Sequence, residues 1–268
     1  MRQRPTRGAA RGQHFLRSSR LAAELVRDAG IEPGRLVVDV GAGTGVLTRA
    51  LANAGARVVA LEADSALIAA LQHRFARRDV TVVEADARRW AWPREPFAVV
   101  ANLPFAGSGE ILSSLLRDPR GELGSADVIV QWEFAVKHAA IWPATMRATY
   151  WRAWFDVAVV ARLARSAFSP PPRVHAAVLR LTRRTRPLVP PDEHDRYRHV
   201  LVEAFRAQTP LHRSLRPWLT SRQVRRLASL LGFDPAARAR DLDARQWAAV
   251  YQAATRERSD RGREAAAL

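Results

Sequence analysis

Apolar positions along this chain follow two periods in alternation. Short β-branched runs bounded by Gly, Pro or charged residues give way to stretches where apolar residues recur every three or four positions. Leu36–Val40, Arg57–Leu61, Val80–Val83 and Phe97–Ala101 read as buried strands, with Asp127–Trp132, Phe155–Arg162 and Ala176–Leu181 as later ones. Helical spacing fills the intervals at Ser19–Ala29, Val46–Ala52, Ser65–Arg77, Gly109–Leu116 and Glu133–Ala140. This alternation predicts an α/β domain over residues 12–183 with a largely parallel sheet. Residues 184–191, rich in Pro and Arg, are expected to be a linker. Beyond them His194–Arg206, Ser221–Leu231 and Ala244–Ala253 carry helical spacing, which predicts a small helical domain over 192–254. Residues 1–11 are expected to be a flexible basic arm and residues 255–268 a flexible tail.

The chemistry starts where the first of these strands ends. Gly41-Ala-Gly43-Thr-Gly45 links Leu36–Val40 to a helical stretch, the opening of a nucleotide-binding α/β unit. Glu62 closes the next strand, about 20 residues on, where an acid can take both hydroxyls of a ribose. A pyrophosphate dinucleotide prefers G-x-G-x-x-G. Here the pattern is G-x-G-x-G, with Asp39 two residues before the first glycine. A carboxylate there suits a cationic ligand without phosphate, which favours S-adenosylmethionine over NAD. Asp86 follows the third strand and Asn102 ends the fourth. Each polar residue alone reads as an ordinary strand end. Three acids in order, then Asn102, read as the ligand-binding edge of an open sheet.

Asn102-Leu103-Pro104-Phe105 is the most informative stretch. A Pro-containing turn after a strand is common by itself. With the preceding motifs, the chain resembles the ribosomal RNA adenine-N6 methyltransferases, and among them the Erm methyltransferases of 23S rRNA that confer macrolide resistance. Further matches are Gly12-Gln-His-Phe-Leu16, Val130-Gln-Trp-Glu-Phe-Ala-Val-Lys137, and Phe168-Ser-Pro-Pro-Pro-Arg-Val174 followed by Ala176-Ala-Val-Leu-Arg180. The resemblance implies a Rossmann-like class I S-adenosylmethionine-dependent methyltransferase domain with a small C-terminal helical domain. It implies a cofactor site of Gln13, His14, Leu16, Gly41, Gly43, Glu62, Ala63, Asp86, Ala87 and Asn102. It also implies a catalytic set of Asn102, Leu103, Pro104 and Phe105, with the target base stacked between Phe105 and Phe168. Two positions depart from the family pattern: His14 stands where Asn is usual, and Phe105 where many relatives have Tyr.

Composition narrows the partners. The 268 residues hold 43 basic and 26 acidic side chains, a formal net charge of +17, and Lys137 is the single lysine. Such a balance fits a polyanionic partner; the resemblance makes it 23S rRNA, free or as a precursor, bound by a monomer. Cysteine is absent and the histidines show no paired ligand spacing, so neither a disulfide framework nor a metal site is expected. No long apolar stretch and no signal-like N-terminus is present, which predicts a cytoplasmic protein without membrane contact. The aromatic and basic segment Trp142–Trp154 reads either as core or as an RNA-stacking surface. Two alternatives stay open. One is a small-subunit, 16S-type rRNA adenine dimethyltransferase with the same motifs. The other is a non-catalytic RNA-binding protein of ribosome assembly on the same fold.

Overall fold

The computed structural model describes residues 14–266, with side chains to Thr255. Phe15–Leu16 (β1) and Ser19–Asp28 (α1) precede Leu36–Val40 (β2), Val46–Asn53 (α2) and Arg57–Glu62 (β3). Then come Ser65–Phe75 (α3), Val80–Glu84 (β4), Phe97–Asn102 (β5), Ser108–Leu115 (α4), Leu123–Gln131 (β6) and Trp132–Ala139 (α5). Met146–Arg152 (α6), Phe155–Leu163 (β7), Phe168–Ser169 (β8) and Ala176–Arg183 (β9) follow. His194–Ala207 (α7), Leu211–Ser214 (α8), Ser221–Leu231 (α9) and Ala244–Ala266 (α10) are the later helices.

Seven strands form one sheet in the order β4-β3-β2-β5-β6-β9-β7. The pairs among β4, β3, β2, β5 and β6 are parallel, and β9 runs antiparallel to β6. Every residue of β2 is buried, because helices cover both faces of a parallel sheet and leave no face for alternating polar residues. β6 carries a buried acid, Asp127, which faces Arg180 across the β6–β9 register. Arg180 Nε donates to Asp127 Oδ1 at 2.9 Å, so the charge is paired where it leaves water.

A second, two-stranded sheet pairs β1 with β8 antiparallel, Phe15 opposite Ser169 and Leu16 opposite Phe168. It joins two segments that are 153 positions apart in the chain, and it matters for the site below.

Backbone contacts divide the chain into two units. The first takes the described residues up to Arg117, then Gly121–Val136 and Val157–Arg183. The second takes Asp118–Arg120, Lys137–Asp156 and the described residues from Arg184 onward. This differs from the expected boundary at residue 183, since Lys137–Asp156 belongs with the helical unit. The reason is aromatic packing. Tyr150, Trp151 and Trp154 are buried, and Trp154 packs edge-on to Tyr150 and Tyr197 at 4.9 and 5.8 Å. Trp154 Nε1–H donates to the Val189 carbonyl at 2.9 Å, which satisfies the polar end of a buried indole. Of the Trp142–Trp154 segment's three tryptophans, Trp142 alone is exposed, so the segment is mostly core rather than a stacking surface.

Residues 184–191 are likewise not a free linker. Arg184 N–H and Leu188 N–H donate to the carbonyls of Trp154 and Ala153, and Val189 is fully buried. Helix α10 continues to Ala266, through most of the segment expected as a tail. The expected arm at residues 1–11 lies outside the described residues. Among the described residues, no helix is long and apolar enough to cross a membrane.

Candidate active site

A cavity of about 400 Å³ opens at the carboxyl ends of β2, β3, β4 and β5. Its size suits a nucleoside-sized ligand. The Gly-rich turn after β2 shapes one wall. Gly41, Gly43 and Gly45 all have positive φ, at 72°, 56° and 77°. A side chain at Gly43 would be strained by its φ and would also meet the Phe15 ring at 2.7 Å. The glycine therefore lets the β1 segment lie directly over the turn.

Glu62 ends β3 at the cavity floor and is 5% exposed. Its Oε2 accepts from Gly43 N–H at 2.8 Å, and its Oε1 from the N–H groups of Ala63 and Asp64 at 2.9 Å each. Three backbone donors thus hold one buried carboxylate and tie the Gly-rich turn to the next strand. At the end of β4, Asp86 accepts from Arg88 through the backbone N–H and through Nε and Nη2. The Arg88 bonds hold the Asp86 carboxyl below the usual carboxylate range.

Asn102 closes β5 and faces the cavity. Its Nδ2 donates to the His14 carbonyl at 2.7 Å. A carbonyl only accepts, so this bond fixes which amide atom points where. Asn102 Oδ1 is left buried with no hydrogen-bond partner. An orphaned acceptor of this kind, beside a cavity, marks a place where a donor is missing.

His14, the residue just before β1, completes the wall next to it. His14 Nδ1–H donates to the Pro170 carbonyl at 2.8 Å, and its ring lies 5.4 Å from that of Phe105. Phe105 is half-buried and lines the cavity.

A model of the family described as ribosomal RNA adenine dimethylase matches residues 9–256. The chain belongs to this family. MyrB, the mycinamicin-resistance protein of Micromonospora griseorubida, is 33% identical over 90% of this chain and 77% of its own. An rRNA adenine N-6-methyltransferase of Bacillus licheniformis is 28% identical over 91% of this chain and 86% of its own. The crystal structure of the 23S rRNA methyltransferase ErmE matches with a TM-score of 0.77 and 26% identity, over 90% of this chain and 99% of that one. The fold is accordingly the Rossmann-like class I methyltransferase fold with a helical C-terminal part, and the Erm-type resemblance read from the sequence holds.

Seen as an adenine dimethylase-family site, the geometry brings most of the expected residues together. His14, Gly41, Glu62, Ala63, Asp86, Ala87 and Asn102–Phe105 all line the one cavity. Gly43 acts through its N–H on Glu62 rather than as lining. Leu16 does not line the cavity. It alternates inward from Phe15 on β1 and is buried in the core with Leu47 and Val178.

Phe168 departs from expectation too. It is 0% exposed and meets Phe105 edge-on at 6.3 Å, so it braces Phe105 and offers no free face for stacking. Gln13 lies outside the described residues. Arg88 and Phe15 were not singled out in the sequence. The spacing of Asp86 and Arg88, two residues apart as in a side-chain-closed turn, was the available signal for the first.

Asp39 also departs from its expected place. It is buried, accepts from Thr48 Oγ1 at 2.6 Å, and does not line the cavity. Burial pushes its carboxyl up to about 7, and the nearby Glu62 charge adds to the rise against the Thr48 bond. A folded-state value above the unfolded one means the native state binds the extra proton. Its contribution to stability is present at low pH and is lost as pH rises from about 4 towards 7. Asp39→Asn keeps an acceptor for Thr48 and removes the titration. Its thermal midpoint is expected to fall less than wild type's between pH 5 and pH 8. Equal pH slopes in the two proteins would contradict this account.

Proposed function

We propose that this protein transfers a methyl group from S-adenosylmethionine to N6 of an adenine in 23S rRNA, and so protects ribosomes from macrolide-type antibiotics. The observation that carries the reading is the orphaned Oδ1 of Asn102 beside Phe105, in a cavity whose floor is Glu62. The cavity fits the methyl donor through three features of its lining: the positive-φ glycine Gly41, the buried Glu62 carboxylate, and the Asp86 carboxylate. Glu62 would hold the ribose hydroxyls, and Asp86 with Ala87 would receive the adenine end. When bound, S-adenosylmethionine supplies an electrophilic methyl group on a sulfonium.

The chain's own residues do the rest. The N6 lone pair of adenine is delocalised into its ring, which makes the amine a poor nucleophile. Asn102 Oδ1 accepts from one N6 hydrogen and the Leu103 carbonyl from the other. Two acceptors on one amine favour a tetrahedral nitrogen with its lone pair free. Pro104 restricts the turn that aims the Leu103 carbonyl. Phe105 stacks on the extruded base, offsetting part of an unstacking cost of roughly a few kcal/mol. These residues would hold the amine facing the bound methyl donor, which would leave as a neutral thioether when its methyl–sulfur bond breaks, so orientation would supply much of the rate. No general base is required, because the methylated amine is acidic enough to release its proton to water.

Phe105→Ala is expected to weaken productive RNA binding about tenfold or more, from the loss of roughly 1–3 kcal/mol of base–aromatic stacking. Phe105→Tyr retains the ring and is expected to keep activity. Steady-state kinetics with varied RNA checks both, and an unchanged KM in Phe105→Ala would remove Phe105 from the base site.

Resistance tests the function itself. Expression in a macrolide-sensitive bacterium is expected to raise the inhibitory concentration of a macrolide, and expression of Asn102→Ala to leave it at the empty-vector value. Protection by both proteins would favour a binding role without catalysis. Protection by neither would count against the 23S target. The similarity to MyrB, a resistance protein, favours this reading over a 16S-type dimethyltransferase.

A further inference from the structure

Trp132 and Arg162 form a cation–π pair near the carboxyl edge of the sheet. Arg162 Cζ lies 4.8 Å from the centroid of the Trp132 ring. Arg162 is exposed, and among the described residues its side chain makes no ion pair and no hydrogen bond. The guanidinium carbon therefore sits over the indole, while the side chain is otherwise exposed. The pair sits at the sheet edge that carries the active site. Asn102 of β5 is opposite Ile129 of β6, and Leu103 N–H donates to the Ile129 carbonyl at 3.1 Å. Trp132 follows Ile129 by three residues, roughly 10 Å along the same parallel direction. Trp132 N–H donates to the His175 carbonyl at 2.9 Å, which brings exposed His175 and Arg173 to the same rim.

We infer that Trp132 and Arg162 form a subsite for an RNA nucleotide flanking the target adenine. The inference rests on the proposed RNA-methylating function and extends it to a surface outside the base pocket. A guanidinium held over an indole by a cation–π contact is partly pre-oriented, so less conformational freedom is lost on binding. The guanidinium stacks on an unpaired base, and its N–H groups donate to the adjoining phosphate. Single-stranded RNA offers both groups together. A purely structural cation–π pair would instead stabilise the strand end and leave RNA affinity unchanged.

The test measures binding of protein-free 23S rRNA across a salt series, with methyl transfer and S-adenosylmethionine affinity followed in parallel. Arg162→Ala is expected to weaken RNA binding on the order of tenfold. It should also flatten the slope of log affinity against log salt by about 0.7, the value for one phosphate contact on a single strand. Affinity for S-adenosylmethionine and the thermal midpoint should stay at wild-type values. Arg162→Lys should restore the salt slope and only part of the affinity, since it keeps the charge and loses the plane. Trp132→Leu should weaken RNA binding as Arg162→Ala does.

Wild-type RNA affinity and salt slope in Arg162→Ala would overturn the subsite. RNA binding that depends on Arg162, in a wild-type protein that transfers no methyl group, would overturn the proposed function and leave the subsite standing.

Discussion

Asn102→Ala will lose methyl transfer by about 10²–10³-fold or more while cofactor affinity and fold persist. The side chain makes one bond within the protein, from Nδ2 to the His14 carbonyl, and its Oδ1 has no partner. Truncation therefore removes a single internal bond, worth about 1 kcal/mol in stability. The catalytic loss is expected to be larger because, in the proposed mechanism, Oδ1 acts on the reacting nitrogen itself. An acceptor fixed before the substrate arrives needs no reorganisation during reaction, which is where preorganised dipoles have their largest effect. Single-turnover transfer on saturating RNA reads this directly. Asn102→Asp offers a sharper comparison: it keeps Oδ1 but places a carboxylate oxygen against the His14 carbonyl. Two acceptors then face each other, and the side chain turns away from its position. Activity near wild type in Asn102→Ala would contradict the role given to Oδ1.

Glu62→Gln will weaken S-adenosylmethionine binding by roughly 10–100-fold, the effect expected when a charge-assisted bond worth about 1.5–3 kcal/mol is lost. The carboxylate accepts from Gly43 on one oxygen and from Ala63 and Asp64 on the other. Glutamine has the same shape but presents an NH2 group on one side. If its oxygen stays with Ala63 and Asp64, that NH2 meets the N–H of Gly43, donor against donor. The Gly-rich turn then loses its anchor to β3. Calorimetric titration with S-adenosylmethionine measures the change. Transfer at saturating cofactor should recover much of the rate, because Glu62 does not touch the reacting nitrogen. Unchanged affinity would mean that the carboxylate serves the turn alone and not the cofactor.

Much of the fold and the Gly-rich side of the cavity was legible because it rests on local patterns. The strands β2, β3, β4 and β5 are short apolar runs with breakers at each end, and the five-residue Gly-rich turn needs three positive φ angles that glycine adopts readily. Glu62 and Asn102 are the last residues of their strands and Asp86 comes two residues after β4, so topology alone brings them to one edge.

Long-range arrangements were less legible. The β1–β8 pair consists of two-residue strands far apart in sequence, too short for any periodic signal. From it follow the bond from Asn102 to His14, the contact of His14 with Pro170, and the burial of Phe168 behind Phe105. The segment Lys137–Asp156 was read with the sheet because it leads into β7. Its aromatics instead pack with Tyr197 and Val189 of the helical unit. Burial also decided the fate of Asp39: a strand-end acid read as ligand-facing is turned inward and satisfied by Thr48.

The most direct measurement incubates the protein with methyl-labelled S-adenosylmethionine and, separately, protein-free 23S and 16S rRNA, then digests the RNA to nucleosides. Label recovered as N6-methylated adenine from 23S rRNA, present with wild type and absent with Asn102→Ala, is the predicted result. Label confined to 16S rRNA, or equal label with Asn102→Ala, would contradict it.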